Sequence, residues 1–233
     1  MLVFLIHVRD PQFYALPAKT RAKNGRIRVM GFPPIGIMSL SSVLKRSGHE
    51  CVMFDQAHPE TPNEFIIEEI KRRKPALVGL SFLSTTSYPY AKILARQIRA
   101  ADSTVKLAFG GVFASLNAGL VKLQCPEICF VCRVDVDQLL LDLLDRLEDP
   151  QEVGGVTWAK DGKVMNNPNR TMERHLDQWP FPDRESLELD FVESMPLDVP
   201  AVLSMERFTT MQTSRGCPWP CVFCDIPIFN EGK

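Results

Sequence analysis

LVGLSFLSTTSYPYAKILARQIRAADSTVKLAFGG, residues 77–111, places two short apolar runs on either side of one amphipathic stretch. Leu77-Val78-Gly79-Leu80-Ser81-Phe82 is almost continuously apolar, as a strand covered on both faces must be. Ala91, Leu94, Ala95 and Ile98 recur at i, i+3, i+4 and i+7, which puts them on one stripe of a helix. Val105-Lys106-Leu107-Ala108-Phe109 is a second strand, turned by Gly110-Gly111. Strand, helix and strand in this order form a βαβ unit, whose two strands lie parallel in one sheet.

The same alternation extends on both sides. Leu2-Val3-Phe4-Leu5-Ile6 is a buried strand, and Ile37, Leu40, Val43 and Leu44 form a helix stopped by Gly48. Cys51-Val52-Met53-Phe54 is a strand ending at Asp55. Thr61 or Asn63 caps a helix carrying Ile66, Ile67 and Ile70, closed by Pro75. Downstream, a helix through Leu116, Leu120 and Leu123 leads to a strand from Ile128 to Cys132. A last helix presents Leu140, Leu143, Leu144 and Leu147 and ends at Asp149-Pro150. Five strands with five helices over residues 1–150 predict an α/β, doubly wound, flavodoxin- or Rossmann-like domain.

Beyond residue 150 the pattern changes. Residues 155–159 and 164–166 flank Asp161-Gly162, which predicts a hairpin. Pro180, Pro182, Pro196 and Pro200 mark an extended connector, so residues 151–205 form a hairpin and linker. Val202 to Met211 contains the first strand of a further domain, which occupies 206–233.

Composition narrows the function. Apolar residues at 45% and charged residues at 24% exclude a collagenous or disordered chain. A formal net charge of −1 supplies no field to attract nucleic acid or an anionic membrane. The apolar start, Met1 to Ile6, is too short to span a bilayer and lacks the basic segment of a signal peptide. A cytoplasmic location is expected. Seven cysteines, an odd number, argue against a disulfide framework and for metal or redox chemistry.

Two cysteine groups share the spacing CxxxCxxC: Cys125, Cys129 and Cys132, and Cys217, Cys221 and Cys224. The first runs into the fifth strand, where alternation puts Cys129 and Cys132 on opposite faces, so these read as small core residues. Cys51 has the same reading. The second lies between Gly216, Pro218 and Pro220, in a loop that regular structure cannot occupy. Three soft thiolates with no fourth cysteine nearby suit an iron–sulfur cluster with one open position. A zinc site completed by His175 and a set of unliganded thiols remain as alternatives.

At this second group the chain resembles the radical S-adenosylmethionine superfamily, whose signature is CxxxCxxC with an aromatic residue, here Phe223, before the last cysteine. The resemblance extends upstream to the cobalamin-binding subclass through Phe32-Pro33-Pro34-Ile35-Gly36-Ile37, Leu44-Lys45-Arg46-Ser47-Gly48-His49-Glu50 with Asp55, and Trp179-Pro180-Phe181-Pro182-Asp183-Arg184. Thr213-Ser214-Arg215-Gly216-Cys217-Pro218 resembles its entry into the cluster loop. The resemblance implies a cobalamin-binding domain followed by the start of a partial (β/α) barrel. It implies that Cys217, Cys221 and Cys224 hold a 4Fe–4S cluster, and that S-adenosylmethionine chelates the remaining iron with Phe223 beside its adenine. Reductive cleavage of the sulfonium would then yield a 5′-deoxyadenosyl radical for methyl transfer or related chemistry. The substrate is an unidentified small molecule, and the electron donor a flavodoxin or ferredoxin. Cobalamin is expected across the C-terminal ends of the strands, against Pro34 and Gly36, Ser81 and Thr85, and Gly110 and Gly111.

Three departures qualify the transfer. Pro33 stands where cobalt-ligating members carry the histidine of DxHxxG. Val134-Asp135-Val136-Asp137 replaces Gly-(Asp/Glu)-Gly-Glu, putting two β-branched residues where glycines accept positive φ. Nine residues follow Cys224, whereas a six-unit barrel needs on the order of 190. The chain is therefore expected to be the N-terminal portion of a larger enzyme or a truncated product. A catalytically inactive cobalamin-binding or carrier module is the alternative. A dinucleotide site is disfavoured, because no GxGxxG precedes Asp55.

Overall fold

The computed structural model describes residues 1–9, 34–56, 61–171, 173, 175–187 and 211–226. Residues 202–210 of the expected strand and the Pro33 position fall outside these, as do Pro196 and Pro200. One sheet organises the rest. Its strands are β1 (Leu2–His7), β2 (Glu50–Asp55), β3 (Leu77–Ser81), β4 (Lys106–Gly110), β5 (Phe130–Cys132), β6 (Val156–Lys160) and β7 (Lys163–Asn166), in the order β2-β1-β3-β4-β5-β6-β7. The first five run parallel, with His7 level with Asp55 on one side and Ser81 on the other.

Alternation along each strand divides the core into two layers. Phe4, Ile6, Val78, Leu80, Leu107, Phe109 and Val131 face one way. They meet α2 (Asn63–Arg73), α3 (Tyr88–Ala101), α4 (Val112–Leu116) and α5 (Ala118–Gln124). Val3, Leu5, Cys51, Met53, Ala108, Phe130 and Cys132 face the other way, toward α1 (Ile35–Arg46) and α6 (Asp137–Asp145). The doubly wound arrangement is as the sequence predicts.

The expected Leu116–Leu120–Leu123 helix face is not the buried one. The helix breaks at Asn117, whose side chain donates to the Phe113 carbonyl at 3.0 Å. After the break, Ala118, Val121 and Lys122 turn inward, while Leu120 and Leu123 are exposed. Nor is α2 capped by Thr61 or Asn63: Pro62 occupies the N-cap, and the Asn63 amide accepts from Gln56 and donates to Gln97, both at 2.7 Å. The strand expected from Ile128 begins at Phe130.

The hairpin forms around Asp161 and Gly162, both at positive φ as a two-residue turn requires, and β6 pairs antiparallel with β5. It thus extends the same sheet. The connector then straps α1. Ser42 Oγ donates to the Phe181 carbonyl at 2.6 Å, and the Asp183 amide donates to the Met38 carbonyl at 3.0 Å. The Asp183 carboxylate accepts from Ser41 Oγ and Lys45 Nζ, each at 2.7 Å.

Two expectations follow. A Cβ on Gly111 would lie 2.1 Å from the Phe82 carbonyl oxygen at a φ of +97°, whereas Gly36 has nothing within 4 Å. Gly111→Ala should therefore lower unfolding free energy by several kcal/mol in a urea titration. Gly36→Ala, on a helix, should leave it unchanged or raise it by up to about 1 kcal/mol. Burial raises the Asp183 carboxyl, but hydrogen bonds from Lys45 and Ser41 and the Lys45 charge outweigh it, so its pKa lies below the ordinary value. A depressed native pKa stabilises the fold above the ordinary carboxylate pKa, about 3.9, and that contribution disappears as pH falls through the native value. The urea midpoint should fall more steeply below about pH 4 in the native sequence than in Asp183→Asn.

Candidate functional site

The C-terminal ends of β1 to β5 gather the candidate residues on one edge. Pro34 precedes α1, and Gly36 is exposed in its first turn. Ser81 closes β3, and Thr85 is exposed in the loop that follows. Gly110 closes β4, and Gly111 is the N-cap of α4. All six lie on the edge where parallel sheets bind ligands. A Cβ on Gly36 or Gly110 would meet nothing within 4 Å, so the backbone there is bare. Beside Thr85, Ser84 Oγ lies 2.8 Å from both Thr86 Oγ1 and Ser87 Oγ, and Phe82, just after β3, packs its ring against Tyr88, Phe109 and Phe113.

The valine for glycine exchange after β5 has a defined outcome. Val134 has φ of +63°, so a β-branched residue holds the left-handed backbone that glycine would adopt freely. Ser115 holds it there: its Oγ accepts the Val134 amide at 3.1 Å and donates to the Gly111 carbonyl at 2.9 Å. One hydroxyl therefore ties the loop after β4 to the loop after β5. Val136, with φ of −98°, needs no glycine and serves as the N-cap of α6.

Two groupings escaped the sequence reading. His7 Nδ1 lies 2.8 Å from Asp55 Oδ1 at the ends of adjacent strands, both side chains largely buried. The signal was available: each residue ends its strand, and neighbouring parallel strands bring their ends together. The second grouping joins the acidic loop to the cysteine loop. Arg215 Nη1 donates to Asp135 Oδ1 at 2.9 Å and also to Asp137 Oδ2. The Glu173 amide donates to Asp135 Oδ2 at 3.1 Å. Burial, then the neighbouring Asp137, raises the Asp135 carboxyl above its ordinary pKa, with Arg215 opposing. Nothing local in the sequence announces a contact spanning 80 residues.

The cysteine loop itself lies on the surface. Cys221 is exposed and Cys217 and Cys224 are half-buried, with Trp219, Val222 and Phe223 turned outward. Gly216 supplies positive φ, and the Cys224 amide donates to the Cys221 carbonyl at 3.1 Å. Among the described residues no three His, Cys, Asp or Glu side chains are gathered as a metal would require. The donor set, three soft thiols in a bent loop, suits an iron–sulfur cluster in kind but is not assembled about a common point. In the other group, Cys125 lies in one core layer and Cys132 in the other, so these three cannot meet. Cys129 precedes β5 and packs against the Cys132 layer, contrary to the expected opposition, while its sulfur accepts from Arg99 at 3.6 Å.

The fold is a doubly wound α/β domain whose candidate residues sit on the C-terminal edge of its parallel strands. Residues 29–144 match the B12 binding domain family. The chain is 30% identical over 207 residues to an uncharacterised methyltransferase of Pyrococcus horikoshii, covering 86% of this chain and 42% of that protein. It is 24% identical over 207 residues to the anaerobic magnesium-protoporphyrin IX monomethyl ester cyclase of Synechocystis, covering 87% and 40%. The fold resembles the radical S-adenosylmethionine methyltransferase TsrM of Kitasatospora setae, solved with cobalamin and a 4Fe–4S cluster, at a TM-score of 0.57, 14% identity and coverage of 75% and 30%. It also resembles the cobalamin-dependent S-adenosylmethionine radical enzyme OxsB, at 0.60, 18% identity and coverage of 78% and 24%. The chain thus spans less than half the length of the curated relatives it matches. No helix among the described residues is long and apolar enough to cross a membrane.

Replacing Val134 by glycine removes the left-handed strain at the cost of some backbone entropy. Val134→Gly should raise unfolding free energy by about 1 kcal/mol, measured by urea titration. Ser115→Ala, which leaves the Val134 amide without its acceptor, should lower it by about 1–2 kcal/mol.

Proposed function

We propose that this chain is the N-terminal portion of a cobalamin-dependent radical S-adenosylmethionine enzyme, in which residues 1–150 bind cobalamin and residues 206–233 open the radical domain. One observation carries the reading. The bare backbone and hydroxyls at the C-terminal strand ends lie on the same edge to which Arg215, two residues before Cys217, is tied.

In this reading Gly36, Gly110 and Gly111 let the main chain approach a flat macrocycle, and Pro34, Ser81 and Thr85 line its border. Cys217, Cys221 and Cys224 would hold a 4Fe–4S cluster, with Phe223 against the adenine of S-adenosylmethionine. When bound, these cofactors supply electron transfer, sulfonium cleavage and methyl transfer, while the protein supplies position and access. An electron donor such as flavodoxin or ferredoxin and a small-molecule substrate complete the system. The location is cytoplasmic, where thiols stay reduced.

The surface position of the cysteine loop favours a second reading for this polypeptide, a cobalamin-binding carrier module without catalysis. Oxygen-free reconstitution with iron and sulfide separates the two. The enzyme reading expects about four irons per chain and a reduced-cluster EPR signal. Both should be lost in Cys217→Ala, while the hydroxocobalamin absorbance titration stays unchanged. Cobalamin bound without any cluster signal would leave the carrier module, and no cobalamin bound would overturn both.

A further inference from the structure

The acidic pair after β5 lies in the loop that departs from the family pattern, yet both carboxylates are almost fully buried. The Asp135 and Asp137 side chains are 10% and 5% exposed, and the Arg215 side chain that meets them is 24% exposed. Two buried carboxylates without a cation would repel each other in a medium that screens poorly. Arg215 comes from a segment that otherwise hardly touches the domain: within residues 211–226 only positions 215, 217, 224 and 226 are not exposed. Among the described residues, the Arg215 guanidinium makes the ion pairs that join the cysteine loop to the sheet edge.

We propose that Asp135 and Asp137 are positioning residues that seat the cysteine loop on the C-terminal edge through Arg215. Three features make the seat rigid. The left-handed turn at Val134, held by Ser115, fixes where Asp135 leaves the strand. Asp137 is the first residue of α6, so a helix carries it and the helix N-terminus favours its charge. The other Asp135 oxygen accepts the Glu173 amide, so one carboxylate joins connector and cysteine loop. Cys217 is two residues beyond Arg215, a backbone reach of about 7 Å at most. The ion triad thus restricts the thiols to the neighbourhood of the strand ends. Its meaning for cofactor spacing rests on the proposed function, but the docking itself needs neither cofactor.

Pulsed EPR on the full chain without metal tests this. In a background with Cys217, Cys224 and Cys129 changed to serine, one nitroxide goes on Cys221 and another on Gln138→Cys, exposed on α6. The expected result is a narrow distance distribution that broadens about twofold or more in Arg215→Ala and in Asp137→Asn. The double variant should broaden it no further, because both changes break one interaction. Arg215→Lys should recover part of the narrowing, since charge remains and the planar fork is lost. Glu148→Gln, which breaks the Lys106 ion pair, should change nothing. Urea transitions of each variant separate undocking from unfolding, and Arg215→Ala serves should Asp137→Asn fail to fold. An unchanged distribution in folded Arg215→Ala, or additive broadening in the double variant, would overturn the proposal. A native chain that binds neither cobalamin nor iron but shows the broadening would overturn the proposed function and leave the docking intact.

Discussion

β1 pairs in parallel with β2 on one side and with β3 on the other, and most of the molecule depends on that arrangement. A parallel crossover is right-handed, so chain leaving β1 in opposite directions must put its helices on opposite faces. Hence α1 covers one face and α2 to α5 the other, while α6, which leads to the antiparallel β6, packs beside α1. The connections from β1 to β2 and from β2 to β3 run in opposite directions along the sheet, which makes this the switch point where open α/β sheets bind ligands. His7, Asp55, Ser81 and Gly110 all end their strands there, so chemistry separated by a hundred residues is collected by topology alone.

The antiparallel hairpin continues this geometry. β6 runs back from the site edge, and β7 returns to it, so an even number of added strands delivers the chain to the edge it left. The residues that follow can then reach Asp135 and strap α1 without crossing the sheet. Glu173 does the first and residues 181–183 the second. Gly111 and Val134 are the two strained or crowded points of this edge, and Ser115 binds both loops. Strain of this kind persists only where surrounding contacts over-determine it, and here it shapes the loop that receives Arg215.

What was legible in the sequence is what depends on local periodicity. The strand–helix alternation, the doubly wound class and the Asp161-Gly162 turn follow from apolar spacing and glycine chemistry, and the structure has all three; the order of the strands in the sheet does not follow from them. The helix after β4 was misread because three leucines at helical spacing outweigh alanines in any hydrophobic pattern. The break at Asn117 resets the helical phase, and the smaller Ala118 and Val121 pack closest to the sheet. The Arg215 triad is illegible for another reason. It is a long-range contact whose partners share no motif, and only the folded edge brings them together.

The two CxxxCxxC groups show why spacing alone does not make a metal site. Metal binding needs thiolate, so the cost of removing each proton enters the affinity. Burial pushes Cys132, and burial with the Glu127 charge pushes Cys125, up to about 12. Deprotonating either near neutral pH costs several kcal/mol more than an ordinary thiol. The sheet compounds this by sending their side chains into different layers. Around Cys217, Cys221 and Cys224 prolines and a glycine keep the backbone irregular, and the loop lies at the surface with Cys221 exposed. Identical spacing thus serves packing in one place and leaves ligating chemistry open in the other. The difference lies in burial and in whether the backbone is free to curl around a shared centre.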